Sequence, residues 1–268
     1  MKKLLSTDEI KTIQLDLLSA IDAFCRANGL KYSLCGGTLL GAVRHKGYIP
    51  WDDDVDLMMP REDYDRFVAT FKADGINVVN LAEADDCAET FTKICKQETI
   101  LVDKNFGREL WGVNVDLFPI DGAPDDNIED YYRQLDAVRQ KLFQICPYYR
   151  AVKGIKRIPL FLKYCLKRIV YFYPGSFRSL KDKVVAAQKA IPYQTSPTVG
   201  VSYWVEKTRT FMPKSVYEDL APITFEGKSY LAVEQLDYYL TRIFGDYMQL
   251  PPVEKRVSHH AYDSYLEA

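Results

Sequence analysis

The stretch Leu34-Cys35-Gly36-Gly37-Thr38-Leu39-Leu40-Gly41-Ala42-Val43-Arg44-His45-Lys46-Gly47-Tyr48-Ile49-Pro50-Trp51-Asp52-Asp53-Asp54-Val55-Asp56-Leu57 sets a glycine turn one short helix ahead of a carboxylate cluster. Paired glycines after Tyr32-Ser33-Leu34-Cys35 let the backbone approach a phosphate and open a helix whose free amides favour anions. Thr38 adds a hydroxyl or caps that helix, which runs from Thr38 to His45 until Gly47 and Pro50 stop it. Asp54 to Met59 then reads as a strand. Alternation puts Asp54 and Asp56 on one face and Val55, Leu57 and Met59 on the other. Two carboxylates about 7 Å apart can share a divalent cation. Asp52 joins that face if the strand begins early, whereas Asp53 points away. The pattern is that of a site for a metal-bound nucleotide diphosphate.

A third acid comes from Trp111-Gly112-Val113-Asn114-Val115-Asp116-Leu117-Phe118-Pro119, in which Val113, Val115 and Leu117 form the buried face and Asn114 and Asp116 the other. Asp116 either completes the metal site or takes a proton from an acceptor hydroxyl. Arg44, His45 and Lys46 can hold diphosphate oxygens, Arg44 best through its planar fork, or they are a basic helix end that complements the helix dipole. Lys93, in Thr92-Lys93-Ile94, falls between the two acid strands in sequence and is a further candidate for a phosphate, or a solvated lysine.

The glycine turn, the block Gly41 to Asp56 and the late segment Phe244-Gly245-Asp246-Tyr247-Met248-Gln249-Leu250-Pro251-Pro252 resemble LicD proteins, over roughly residues 5 to 262. These are bacterial phosphocholine transferases related to the fukutin-type ribitol-phosphate transferases. The resemblance implies an α/β nucleotidyltransferase-like core and Mg²⁺, or Mn²⁺ in its place. It further implies transfer of phosphocholine from CDP-choline to a sugar hydroxyl of a teichoic acid or lipid-linked glycan precursor, with release of CMP. In that frame Asp54, Asp56 and Asp116 serve metal and catalysis, and Gly36, Gly37, Thr38, Arg44 and Lys93 serve nucleotide and phosphate. Transfer of ribitol or glycerol phosphate from its CDP carrier is the alternative within the family. A glycosyltransferase with an Asp-x-Asp motif and a non-catalytic choline- or nucleotide-binding module at the membrane are the alternatives outside it.

Choline is a quaternary ammonium without a hydrogen to donate, so its receptor should offer aromatic faces. The chain has 19 Tyr and 3 Trp. Trp51, Trp111 and the Tyr203-Trp204 pair are candidates, and core packing accounts for each of them equally well. The terminal Arg256, His259 and His260 resemble the family's basic end.

With 268 residues and 47% hydrophobic content the chain can bury a large core, and a net charge of −2 gives no reason to expect nucleic acid. Cysteines 25, 35, 87, 95, 146 and 165 lack any Cys-x-x-Cys pair, which argues for reduced thiols and against a zinc site. Charge returns at Asp8, Glu9 and Lys11, so the amino terminus does not read as a signal peptide, and no run of 18 apolar residues occurs. A cytoplasmic enzyme is expected.

Ser6-Thr7-Asp8-Glu9 is a capping box opening an amphipathic helix to Asn28-Gly29. Beyond the Asp54 strand the pattern predicts a helix over Arg61 to Lys72 and strands over Ile76 to Leu81, Thr92 to Lys96, Ile100 to Asp103 and Gly112 to Phe118, all in one mixed sheet. Residues 1–124 form the catalytic core on this reading, 125–198 a helical basic insertion, and 199–268 a segment that completes core and site. That last part reads as strands over Val199 to Trp204 and Thr224 to Leu231 and a helix near Val233 to Phe244. Within the insertion, Arg150 to Lys181 holds nine Lys or Arg and no Asp or Glu, together with many aliphatic and aromatic residues. Such a segment resembles an interfacial helix on anionic lipid. A lobe with its apolar side buried, a groove for a polyanion and a homodimer interface are the other readings.

Overall fold

The computed structural model describes residues 2–104, 108–146, 158–171, 173–203, 207–257 and 262–267. In chain order the strands are β1 (Lys2–Leu4), β2 (Ser33–Leu34), β3 (Asp56–Pro60), β4 (Ile76–Asn80), β5 (Thr92–Lys96), β6 (Thr99–Asp103), β7 (Glu109–Leu110), β8 (Asn114–Ala123), β9 (Thr198–Gly200), β10 (Met212–Pro213), β11 (Leu220–Phe225), β12 (Lys228–Val233) and β13 (Tyr262–Glu267). The α-helices are α1 (Thr7–Asn28), α2 (Gly36–His45), α3 (Arg61–Thr70), α4 (Ile128–Ile145), α5 (Ile158–Val170), α6 (Phe177–Gln188), α7 (Ser215–Glu218) and α8 (Leu236–Phe244). The architecture is mixed α/β, organised on the long strand β8.

One edge of β8 pairs in parallel with β3, which in turn pairs antiparallel with β2. The opposite edge takes β5 over its first half and β9 over its second, both antiparallel, with β4 and β10 outside them. β8 is apolar on nearly every position past Asp116, the pattern of a strand covered on both faces. α1 covers one of these faces. Ser6 caps it by accepting from the Glu9 amide while Glu9 reaches back to the Ser6 amide, and Gly29 ends it at φ 62°. Its Leu17, Leu18, Ile21 and Cys25 are almost fully excluded from water, each aliphatic side chain worth about 1.5–3 kcal/mol of burial.

Several sequence expectations are corrected by the tertiary structure. Ile100 to Asp103 extends to Thr99 but leaves the central sheet, joining β7, β13 and β1 in a sheet of its own. The two chain termini supply half of that sheet, a long-range pairing with no local signal. Thr224 to Leu231 is two strands of a hairpin, because Glu226 and Gly227 adopt φ 49° and 75° and reverse the chain. β9 stops at Gly200 where a strand to Trp204 was expected, and Trp204 lies outside the described residues.

The helical part has a small core of its own, built from Leu142 and Ile145 of α4, Phe177, Leu180 and Val184 of α6, and Ala88. Lys181 anchors it. Its buried ammonium donates to the carbonyls of Leu81, Ala84 (2.7 Å) and Cys87 (2.9 Å), which tie α6 to the loop ahead of β5. A second buried tie is the two-pronged Arg61–Asp121 pair at 2.6 and 2.7 Å, joining the start of α3 to β8. No described helix is long and apolar enough to cross a membrane.

Candidate active site

The parallel register of β3 and β8 sets Asp56 opposite Asp116, and the antiparallel register of β5 and β8 sets Lys93 opposite Asp116 on the other side. Residues in register share a face of the sheet, so Asp56, Asp116 and Lys93 form a row across three strands. Lys93 is thus not between the acid strands in space. β3 and β8 are direct neighbours, and β5 lies beyond them. The Lys93 ammonium sits 2.6 and 2.7 Å from the two carboxylate oxygens of Asp116, and the Asn114 amide donates to one of them at 2.5 Å. The rings of Phe91 and Trp111 flank the same ammonium at 5.1 and 5.5 Å.

The acid-bearing loop is held from both ends. β3 begins at Asp56 rather than Asp54, because the Asp56 amide donates to the Thr38 hydroxyl (2.9 Å) and its carbonyl accepts from Cys35 (3.1 Å). Asp54 therefore belongs to the approach to the strand, and Thr38 uses its oxygen to fix where the strand starts. Helix α2 opens at Gly36, at φ 54°, two residues before the expected start. A Cβ on Gly37 would come within 2.6 Å of one carboxylate oxygen of Asp52, so glycine leaves room for that side chain against the first turn of α2. The far end of α2 is pinned too. Glu226, in the β11–β12 turn, accepts from the Tyr48 amide at 2.9 Å, and its own amide donates to the Lys46 carbonyl.

Two concavities flank the loop 51–54. A cavity of about 260 Å³ is lined by Asp53, Asp54, Lys93, Asn114 and Asp116 on its polar side and by Leu5, Ile10, Leu101 and Val113 on its apolar side, with Tyr262 of β13 at its rim. The terminal sheet is thus a wall of the site. On the other side an open groove of about 900 Å³ runs between α2 and residues 244–257. Arg44 lies in this groove, donating to the Tyr247 carbonyl at 2.8 Å, and Trp51 lies there under the Arg256 guanidinium at 5.5 Å. The structure therefore brings Asp54, Asp116 and Lys93 to one cavity and Arg44 with Trp51 to the other.

The aromatic candidates do not converge. Trp51 is in the groove, Trp111 is beside Lys93, and Tyr203 packs against Phe91 and Phe118 with ring centroids at 4.9 and 6.2 Å. His259 and His260 lie outside the described residues.

Charge is concentrated and under-compensated. The Asp56 carboxyl keeps a partly accessible surface yet is densely surrounded, and its affinity for a proton is pushed well above the usual aspartate range. Loss of hydration is the main cause, the carboxylates of Asp54, Asp116 and Asp52 add to it, and Lys93 opposes it. Burial alone would lower Lys93, but Asp116 outweighs it and holds the ammonium protonated. Arg44 is lowered by burial and by the charge of Arg256, and His45 by burial and by Arg44.

Carboxylate oxygens are the donors that Mg²⁺ and Mn²⁺ take, and a divalent cation would relieve the repulsion that lifts Asp56. Among the described residues no three carboxylate, imidazole or thiol groups form a ready-made metal site. Mg²⁺ is commonly held by one or two carboxylates together with substrate phosphates and water.

A model of the LicD/FKTN/FKRP nucleotidyltransferase domain matches residues 29–147, which span α2, the acid loop and β8. The lipopolysaccharide cholinephosphotransferase LicD of Haemophilus influenzae is 31% identical over 275 residues, covering 99% of this chain and 100% of that protein. The chain belongs to the LicD family. Shorter similarity links it to the ribitol 5-phosphate transferase FKRP of mouse and human, each 60% identical over 37 residues, or 14% of this chain and 8% of theirs.

In this LicD-family site, several residues had no readable signal in sequence. Gln14 is buried within α1 and donates to the Asp53 carbonyl (2.9 Å) while accepting from the Tyr48 hydroxyl (3.1 Å). A lone glutamine on an amphipathic helix looks like any polar position. Tyr262 reaches its cavity only through the fold of the carboxy-terminal segment, and Arg256, legible in sequence only as part of a basic end, reaches the groove in the same way. Asn114 could have been found, since alternation along β8 already put it on the face of Asp116.

Proposed function

We propose that this chain is a phosphotransferase that moves phosphocholine from CDP-choline to a sugar hydroxyl of a glycan, releasing CMP. The observation that carries the reading is a cavity, apolar on one side, lined by Asp54, Asp116 and Lys93, with Asp56 in register beside Asp116. Similarity to a lipopolysaccharide cholinephosphotransferase over nearly the whole chain supports phosphocholine as the group.

In the reaction the acceptor oxygen bonds to the phosphorus that carries choline and gives its proton to Asp116 or to solvent, the bond from that phosphorus to the bridging oxygen breaks, and its electron pair leaves with CMP. Mg²⁺, or Mn²⁺, would be held by one or two of Asp54, Asp56 and Asp116 together with the donor phosphates, and would offset the charge of the diphosphate. The oxygens of Asp116 accept from Lys93 and Asn114 and the carboxylate lies opposite Asp56, so we assign Asp116 either to the cation or to taking the acceptor proton. Lys93 orients that carboxylate. Gly36 and Gly37 seat the acid loop on the first turn of α2, whose amides favour the donor phosphates. Arg44 and Trp51 form a separate groove that can take a further part of either substrate.

The acceptor fitting this chemistry is a teichoic acid or lipid-linked glycan precursor. A second reading is transfer of ribitol or glycerol phosphate from the CDP carrier, favoured by the local 60% identity to a ribitol 5-phosphate transferase. Steady-state turnover of CDP-choline, CDP-ribitol, CDP-glycerol and a nucleotide sugar, each with Mg²⁺ and a membrane glycan fraction, separates the readings. Preference for CDP-choline is the expected result. Preference for CDP-ribitol would move the substrate and keep the site, and turnover of the nucleotide sugar alone would overturn the reading.

A further inference from the structure

Helix α5 is amphipathic, yet its apolar stripe faces solvent. Ile158, Leu162, Leu166 and Ile169 recur at the spacing of a single helix face and are 49%, 59%, 61% and 73% exposed. Phe161 and Val170 border the same face and are exposed, as is Tyr171 just past the helix end. None of the described apolar side chains of α5 belongs to the small core that residues of α4 and α6 form with Ala88. A soluble helix ordinarily turns such a stripe inward, and a contiguous outward patch marks a surface built to be covered.

The surrounding charge identifies the cover. Lys163 is exposed within α5, and the sequence from Arg150 to Lys181 contains no carboxylate and nine Lys or Arg, of which Lys181 is buried and Arg178 pairs with Asp182. Just past the end of α5, Lys141 and Lys183 approach the ring of Tyr173 at 5.4 and 5.6 Å, adding two ammonium groups from the flanking helices. A protein partner of ordinary composition would be met by interspersed charges of both signs. A strip of aliphatic and aromatic side chains in a purely cationic segment matches the boundary between acyl chains and anionic headgroups. Thirteen residues are too few to span a bilayer and enough to lie along its surface.

We propose that α5 is a membrane-docking helix that lays its 158–162–166–169 face into the interfacial layer of an anionic bilayer. This surface is independent of the phosphotransfer chemistry, so vesicle binding and turnover test separate claims. A helix docked in this way would carry the active site to acceptors at the membrane face.

Flotation of the full chain with vesicles of phosphatidylcholine alone and of phosphatidylcholine with phosphatidylglycerol tests the inference. Binding is expected to the anionic vesicles, to weaken several-fold at high salt, and to fall about tenfold or more in the triple variant Leu162→Ser, Leu166→Ser, Ile169→Ser. These side chains are exposed, so an unchanged melting temperature shows that the variant folds. A charge variant, Lys163→Glu, should weaken binding to anionic vesicles while leaving hydrolysis of the soluble donor unchanged. Absence of binding to both vesicle types would overturn the proposal. So would a dimer in sedimentation velocity that the triple variant dissolves, which would make the stripe a protein interface.

Discussion

Replacing Lys93 with Met removes the ammonium facing Asp116 while keeping an apolar stem against Phe91 and Trp111. Breaking a buried ion pair from one side costs about 3–5 kcal/mol, since the remaining charge is left without its partner. Here the side chains of Lys93 and Asp116 keep 13% and 15% of their surface, and Asn114 still donates to Asp116, so the lower end, about 3 kcal/mol, is expected. For a chain of this size that is a fall in melting temperature of about 6 °C. The loss should be largest in EDTA. If Asp116 helps to hold a divalent cation, Mg²⁺ replaces the missing charge, and ten times its dissociation constant restores about 1.4 kcal/mol. In the wild type Lys93 competes for the same carboxylate, so Mg²⁺ should raise its melting temperature less. Differential scanning fluorimetry of both proteins with EDTA and with Mg²⁺ reads all four values. A loss below about 1 kcal/mol, or an equal Mg²⁺ shift in the two proteins, would refute the reasoning.

Three further outcomes are expected. Asp54→Ala and Asp56→Ala should each abolish turnover with circular dichroism unchanged, and wild-type CMP release from either folded variant would remove that residue from the site. Asp56→Asn should be more stable than the wild type at neutral pH without metal, because ionising the wild-type carboxyl in its crowded setting costs the folded state stability. That cost is absent below the ordinary aspartate value of 3.8 and grows as pH rises from there toward the raised folded value, so urea midpoints of the two proteins should converge in acid. Gly37→Ala should displace the Asp52 carboxylate, which stands 2.6 Å from the new methyl, and lower kcat by about a hundredfold with the melting temperature little changed. Full activity in that variant would show that the loop tolerates the shift.

The parts of this molecule legible in sequence are those whose signals are local. The capping box at Ser6 and the left-handed Gly29 bracket α1 as read, and the alternation of Asn114 and Asp116 against Val113, Val115 and Leu117 gives the face of β8. What sequence could not supply is the pairing. Nothing local announces that Lys2–Leu4 joins Tyr262–Glu267 in a second sheet, or that this sheet walls the cavity. The start of β3 was misplaced by two residues because alternation alone cannot see the Thr38 hydroxyl that takes the Asp56 amide. Arg44 and Lys93 were both read as free to reach phosphate. The fold gives one a backbone carbonyl in a separate groove and the other a carboxylate, partners set by tertiary contact. The amphipathic pattern of α5 was visible, but period alone does not say whether a stripe faces in or out.

The central claim is that phosphocholine itself moves from the nucleotide to a glycan at the Asp54–Asp56–Asp116 site. CDP-choline labelled in the choline methyl groups, incubated with the protein, Mg²⁺ and a membrane glycan fraction, tests it most directly by mass spectrometry of acceptor and nucleotide together. The account predicts a glycan heavier by one labelled phosphocholine, an equal amount of CMP, and neither product in EDTA or with Asp56→Ala. Labelled glycan formed at full rate by Asp56→Ala, or CMP without any labelled glycan across acceptors, would contradict it.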